Sequence, residues 1–157
     1  MSNSALREQL ASMLRWEDAH AGFEKVFDGV PEQHRGARPQ ALPHSLWELL
    51  EHLRLTQRDI LEFCIDPGYV EREWPADYWP DDPAPPDARA WEQSMREYLQ
   101  DRDELIHLAE DPRVDLFSAI PHGSGQTYLR EILLVADHNS HHVGQAILVR
   151  RALGIWS

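Results

Sequence analysis

The sequence predicts an all-α protein, a four-helix bundle. Two observations predict it. Four stretches carry apolar residues at helical spacing, each bounded by proline- or glycine-containing breakers. No segment shows the two-residue alternation and β-branched enrichment of a strand. Amphipathic helices without strands bury their apolar faces against one another. The 157 residues are expected to form one domain, 1–157.

The first helix is expected over about residues 4–28, where Leu6, Leu10, Met13, Leu14, Ala21 and Phe27 keep helical spacing and Gly29 and Pro31 end the run. The second is expected over about residues 46–64. Ser45 followed by Glu48 is a capping box, and Leu46, Leu49, Leu50, Leu53, Ile60 and Leu61 mark one stripe before Asp66-Pro67-Gly68. The third is expected to start near Asp87 as N-cap, with a stripe of Trp91, Met95, Tyr98, Leu99, Leu105 and Ile106, and to close at Asp111-Pro112. The fourth starts near Thr127, after Pro121-His122-Gly123-Ser124-Gly125, and ends near Gly154. Residues 66–86 hold six of the eleven prolines and the segment Trp74-Pro75-Ala76-Asp77-Tyr78-Trp79-Pro80. They read as a rigid linker with aromatics folded over a bundle end. The alternative is that Tyr78 or Trp79 lines a pocket mouth.

Composition narrows the function. The formal net charge of −12 repels phosphate backbones, so no nucleic-acid partner is expected. No apolar run has membrane-spanning length. The N-terminal residues carry Arg7, Glu8 and Arg15 and lack the apolar centre of a signal peptide. The single cysteine, Cys64, falls on the apolar side of the second helix and reads as core. These features predict a cytoplasmic protein without a membrane partner.

The chemistry concentrates in Asp137-His138-Asn139-Ser140-His141-His142-Val143-Gly144-Gln145. Residues four apart on a helix share a face, so His138 and His142 project side by side, a spacing used to bind zinc. The third candidate ligand is His52, at the flank of the second helix's stripe. Three imidazoles form an open site of the catalytic style, because structural zinc sites are usually closed by four ligands. His141 points about 100° away from His142 around the helix, as 3.6 residues per turn require, and reads as a groove-edge or interface residue. His20 reads as a core-edge histidine near Trp16 and Phe23, or else as a polar substrate contact. Glu131 reads as a solvated first-turn carboxylate favoured by the helix dipole, with ligand orientation or proton carriage as the alternative. Gln145 is a candidate site contact or an inter-helix hydrogen bond. No role is assigned to His34, His44, His107 or His122. Neither a glycine-rich phosphate loop nor a serine nucleophile elbow is present.

Three pieces carry a resemblance to a known family: 43–53 (PHSLWELLEHL), Tyr78-Trp79-Pro80, and 137–145 (DHNSHHVGQ), with 148–156 resembling the family's end. The chain resembles the DinB/YfiT-like superfamily of metal-dependent proteins over nearly its whole length. The resemblance implies an up-down-down-up bundle and a divalent metal, zinc or nickel, held by His52, His138 and His142. It also implies chemistry like that of relatives that act as transferases or isomerases with low-molecular-weight thiols such as mycothiol or bacillithiol. Some thiol-using relatives have Glu in place of one of the final His pair, whereas this chain has His at both. The resulting expectation is a metal-dependent thiol transferase or hydrolase acting on a small molecule, as a homodimer through Trp47, Trp91 and Trp156. The alternative is a non-catalytic metal-binding or dimerisation bundle.

Overall fold

The computed structural model describes residues 3–15 and 19–156. Among these the protein is all-helical: α1 Ser4–Arg15, α2 Phe23–Phe27, α3 Glu32–Arg35, α4 Leu46–Ile65, α5 Ala88–Glu110 and α6 Tyr128–Ala152, with a 3-10 turn at Ala76–Tyr78. The nearest thing to a strand is one isolated antiparallel bridge between Ala119 and Thr127.

The three long helices begin where their capping residues stand. Ser45 and Glu48 form both halves of the capping box on α4: Glu48 N–H donates to Ser45 Oγ at 3.2 Å, and Ser45 N–H donates to Glu48 Oε2 at 2.8 Å. Asp87 and Thr127 accept from the backbone N–H groups of Ala90 and Arg130, which fixes the starts of α5 and α6. Each cap satisfies a donor that the first turn leaves without an intrahelical partner.

The first expected helix is not continuous. α1 is described as far as Arg15, His20 lies in a bend, and a separate five-residue α2 begins after Gly22, whose backbone is extended. The apolar spacing runs through the break because Phe23, Val26 and Phe27 still face the core. Periodicity reports which residues are buried, not whether the backbone between them stays helical. Trp16 lies outside the described residues.

α4 packs against both α5 and α6, and α1 packs against the same two helices. The buried residues form two apolar clusters. One gathers Phe23, Phe27, Trp47, Leu50, Leu53, Trp91, Tyr98, Val143 and Val149. The other gathers Leu10, Leu14, Leu61, Cys64, Leu105, Leu116, Ile120 and Ile132. Burial of each such Leu, Ile or Phe contributes about 1.5–3 kcal/mol. Trp47 and Trp91 are core residues, with Trp91 only 1 % exposed, so neither can be the subunit-contact residue expected of it. Trp156 is half-buried and stacks under the Arg150 guanidinium, 5.1 Å from its ring centroid.

Between the two clusters runs a buried polar layer. It falls where the stripe of each long helix is interrupted: Gln57 between Leu53 and Ile60, Arg102 between Tyr98 and Leu105, and Asn139 between Ala136 and Val143. The layer sits beside the histidines and positions one of them.

Candidate metal centre

α4 and α6 bring His52, His138 and His142 together, with one ring nitrogen of each lying within 4.8 Å of the others. His52 Nε2 is 3.1 Å from His142 Nε2 and 3.1 Å from His138 Nε2. Two nitrogens on a tetrahedral zinc ion at about 2.05 Å would be about 3.3 Å apart, so the spacing fits a shared ion. His52 is 2 % exposed and therefore lies deeper than the stripe flank expected of it.

The outer nitrogen of every ring faces an acceptor. His52 Nδ1 lies 2.8 Å from the Tyr78 carbonyl, His142 Nδ1 lies 2.8 Å from Gln145 Oε1, and His138 Nδ1 lies 3.4 Å from Asn139 Oδ1. A proton on each Nδ1 donates outward. Each Nε2 then turns a lone pair toward the common centre, which makes a donor set for a cation. The acceptors are themselves held. The Asn139 amide donates to Gln57 Oε1 at 2.9 Å and to the Tyr98 hydroxyl at 3.0 Å, which turns its oxygen toward His138. Gln57 in turn donates to the Tyr98 carbonyl at 2.7 Å. Gln145 donates to His141 Nε2 at 3.1 Å, and His141, exposed at the edge, also sets its ring edge-on to His142 with centroids 4.9 Å apart.

The electrostatics favour neutral rings. Burial pushes the pKa of all three histidines down; cluster neighbours push His138 and His142 the same way, and His44 does so for His52. His138 falls to about 3 and His142 to about 4. Metal binding needs neutral imidazole, so protons compete weakly for this centre near neutral pH.

The proline-rich segment is part of the centre rather than a distant linker. Trp79 stacks on His52 with centroids 3.9 Å apart and planes 5° from parallel, and His44 stacks on Trp79 at 4.2 Å. Tyr78 is buried, and its hydroxyl donates to Asp59 Oδ2 at 2.8 Å. Two features seat the segment, one at the start of α4 and one at the end of α3. Ser45 Oγ donates to the Pro83 carbonyl at 2.5 Å, and Gly36 lies so close to Ala84 that a side-chain methyl at Gly36 would collide with it.

Other candidates stand apart. His20 contacts Ser140 Oγ at 3.0 Å and the Ala21 carbonyl at 3.0 Å, outside the three-histidine group. Glu131 is 2 % exposed and paired with Arg130, so the solvated reading is corrected. It occupies the inward face of α6, seven residues before His138, and its charge is felt by Cys64. Cys64 is buried as expected, and burial together with Glu131 pushes its thiol up to about 12. A thiol so protonated is a poor nucleophile.

A family model for the DinB superfamily matches residues 15–146. The chain belongs to the DinB superfamily. Comparison with curated proteins and with solved structures finds no match. Superfamily membership and the three-histidine group agree with a site able to hold a divalent ion. No helix is long and apolar enough to cross a membrane among the described residues.

Proposed function

We propose that this DinB-superfamily protein is a metal-dependent enzyme in which His52, His138 and His142 hold a divalent ion, zinc or nickel. We assign it the transfer of a low-molecular-weight thiol to a small electrophile, with water as the alternative nucleophile. The observation that supports this reading is the convergence of three Nε2 atoms whose rings are each held from behind by an acceptor. Three protein donors are the number found in catalytic zinc sites, whereas structural sites are usually closed by four. When bound, such an ion supplies Lewis acidity and favours the deprotonated form of a coordinated thiol or water.

The protein's own residues orient and shield. The Tyr78 carbonyl, Asn139 and Gln145 keep the ring protons on Nδ1. Trp79 covers one face of His52 and limits the access of water there. Cys64 takes no part, because it is buried in the core. The same reading includes an up-down-down-up bundle, a cytoplasmic location and a homodimer. The net charge of −12 supports the expectation that DNA is not a partner.

The test is an assay of electrophiles against several biological thiols, with wild type, His138→Ala and Cys64→Ala, each prepared without tag or chelator. Turnover in wild type and Cys64→Ala, lost in His138→Ala, supports the reading. Equal turnover in metal-free His138→Ala moves the chemistry elsewhere. No turnover with any thiol, or with water alone, favours a non-catalytic metal-binding bundle.

A further inference from the structure

We propose that a hollow beside the histidines binds the apolar end of a small neutral molecule, a single aromatic ring or a branched alkyl group carrying one polar substituent. It is lined by Leu42, Leu49, Leu148 and Val149, with His44 and Gln145 as its polar residues, and its volume is about 140 Å³. Calling that molecule a substrate rests on the enzymatic reading above; the binding itself does not.

Size and lining set the ligand class. An apolar cavity of about 150 Å³ accommodates benzene, so this hollow suits one ring or its aliphatic equivalent. No carboxylate, ammonium or guanidinium lines it, so nothing there would neutralise a charged ligand. Leu148 is 51 % exposed although its helix neighbours Ala146 and Val149 are buried. An exposed leucine at the wall of a hollow gains burial when that hollow is filled.

Both polar residues lead to the metal centre. Gln145 Oε1 is 2.8 Å from His142 Nδ1. His44 stacks on Trp79, whose ring stacks on His52. A ligand in the hollow therefore lies against Gln145, which holds His142, and against His44, one ring removed from His52. His44 Nδ1 is buried without a hydrogen-bond partner. That atom lies out of reach of solvent, so a polar substituent in the hollow would meet the more open part of the half-buried His44 ring instead.

Phenol is the probe. It is titrated into the full chain, metal-free and zinc-loaded, while the methyl resonances of leucine and valine are followed by NMR. The expected result is saturable shifts at Leu42, Leu49, Leu148 and Val149, with Kd in the range of about 1–10 mM that suits about seven heavy atoms. Leu148→Glu should weaken binding about tenfold or more by placing a charge at the wall. Leu133→Glu, an exposed leucine of α6 that does not line the hollow, should leave binding unchanged. Linear shifts without saturation, shifts centred on other residues, or equal binding by Leu148→Glu would overturn the proposal. Saturable binding to zinc-loaded protein that shows no thiol chemistry would sink the enzymatic reading alone. Thiol turnover by a protein that does not bind phenol in the hollow would sink the hollow alone.

Discussion

The Tyr78 hydroxyl donates to Asp59 at 2.8 Å, and this one contact ties the proline-rich segment to α4 seven residues beyond His52. Asp59 also accepts from the Tyr69 hydroxyl at 3.1 Å and lies 3.5 Å from the Arg72 guanidinium. With its ring so anchored, Tyr78 presents its carbonyl to His52 Nδ1 at 2.8 Å. The anchor thus acts on the metal centre through backbone position.

Tyr78→Phe should keep the fold and weaken metal binding. The carbonyl stays, but the hydroxyl that fixes it is lost. Groups that orient metal ligands typically change affinity about 10–100-fold. Competition with a chromophoric chelator measures this, and a Kd unchanged from wild type would show that the anchor is irrelevant to the centre.

The buried layer of Gln57, Asn139 and Tyr98 should behave as one unit. Gln57→Leu leaves one N–H of the Asn139 amide without its acceptor and the Tyr98 carbonyl without its side-chain donor, at a cost of about 1–3 kcal/mol. Urea denaturation gives that number. In a double-mutant cycle, Gln57→Leu with Asn139→Leu should cost less than the sum of the single changes. Strict additivity would mean that the two side chains do not depend on each other.

Low pH should destabilise the metal-free protein. His138 and His142 titrate at about 3 and 4 when folded, below the usual histidine value near 6.5 that they regain on unfolding. Between those values the unfolded chain binds more protons, so stability is lost as pH falls from about 6.5 toward 4. Each such histidine contributes a slope of up to about 1.4 kcal/mol per pH unit. His138→Phe should flatten the dependence, and thermal melts of both proteins across that range would reveal whether it does.

The start of α4 should be sensitive to Ser45→Ala. The change removes a cap worth about 0.5–2 kcal/mol and also the bond to the Pro83 carbonyl. Thermal stability should therefore fall, and metal affinity with it, since the same residue holds the segment that carries Trp79 toward His52. A loss of stability with no change in affinity would separate the cap from the centre.

The long helices were legible because each announces its start with a side chain: Ser45 and Glu48, Asp87, and Thr127. The His138 and His142 pair was legible from four-residue spacing, and His52 from its place beside an apolar stripe. The non-helical turn at residues 19–22 was not, because burial keeps its rhythm across a change in backbone. The Tyr78 carbonyl left no trace, since a backbone acceptor in a loop has no residue signature. Asn139 and Gln57 could have been found: each is a polar residue on an otherwise apolar stripe, which marks a buried network. Glu131 was misread because its place in the first turn outweighed its inward register with His138.

The most direct test of the metal centre is elemental analysis of untagged protein prepared without chelator, for wild type, His52→Ala and His138→Ala, with circular dichroism on each. The expected result is about one zinc or nickel ion per chain in wild type, the count for a single three-histidine site. Both variants should lose most of the metal and retain wild-type helical content. Undiminished metal in the two variants, or a wild type that takes up no divalent ion when zinc or nickel is supplied, would contradict the assignment of these histidines as ligands.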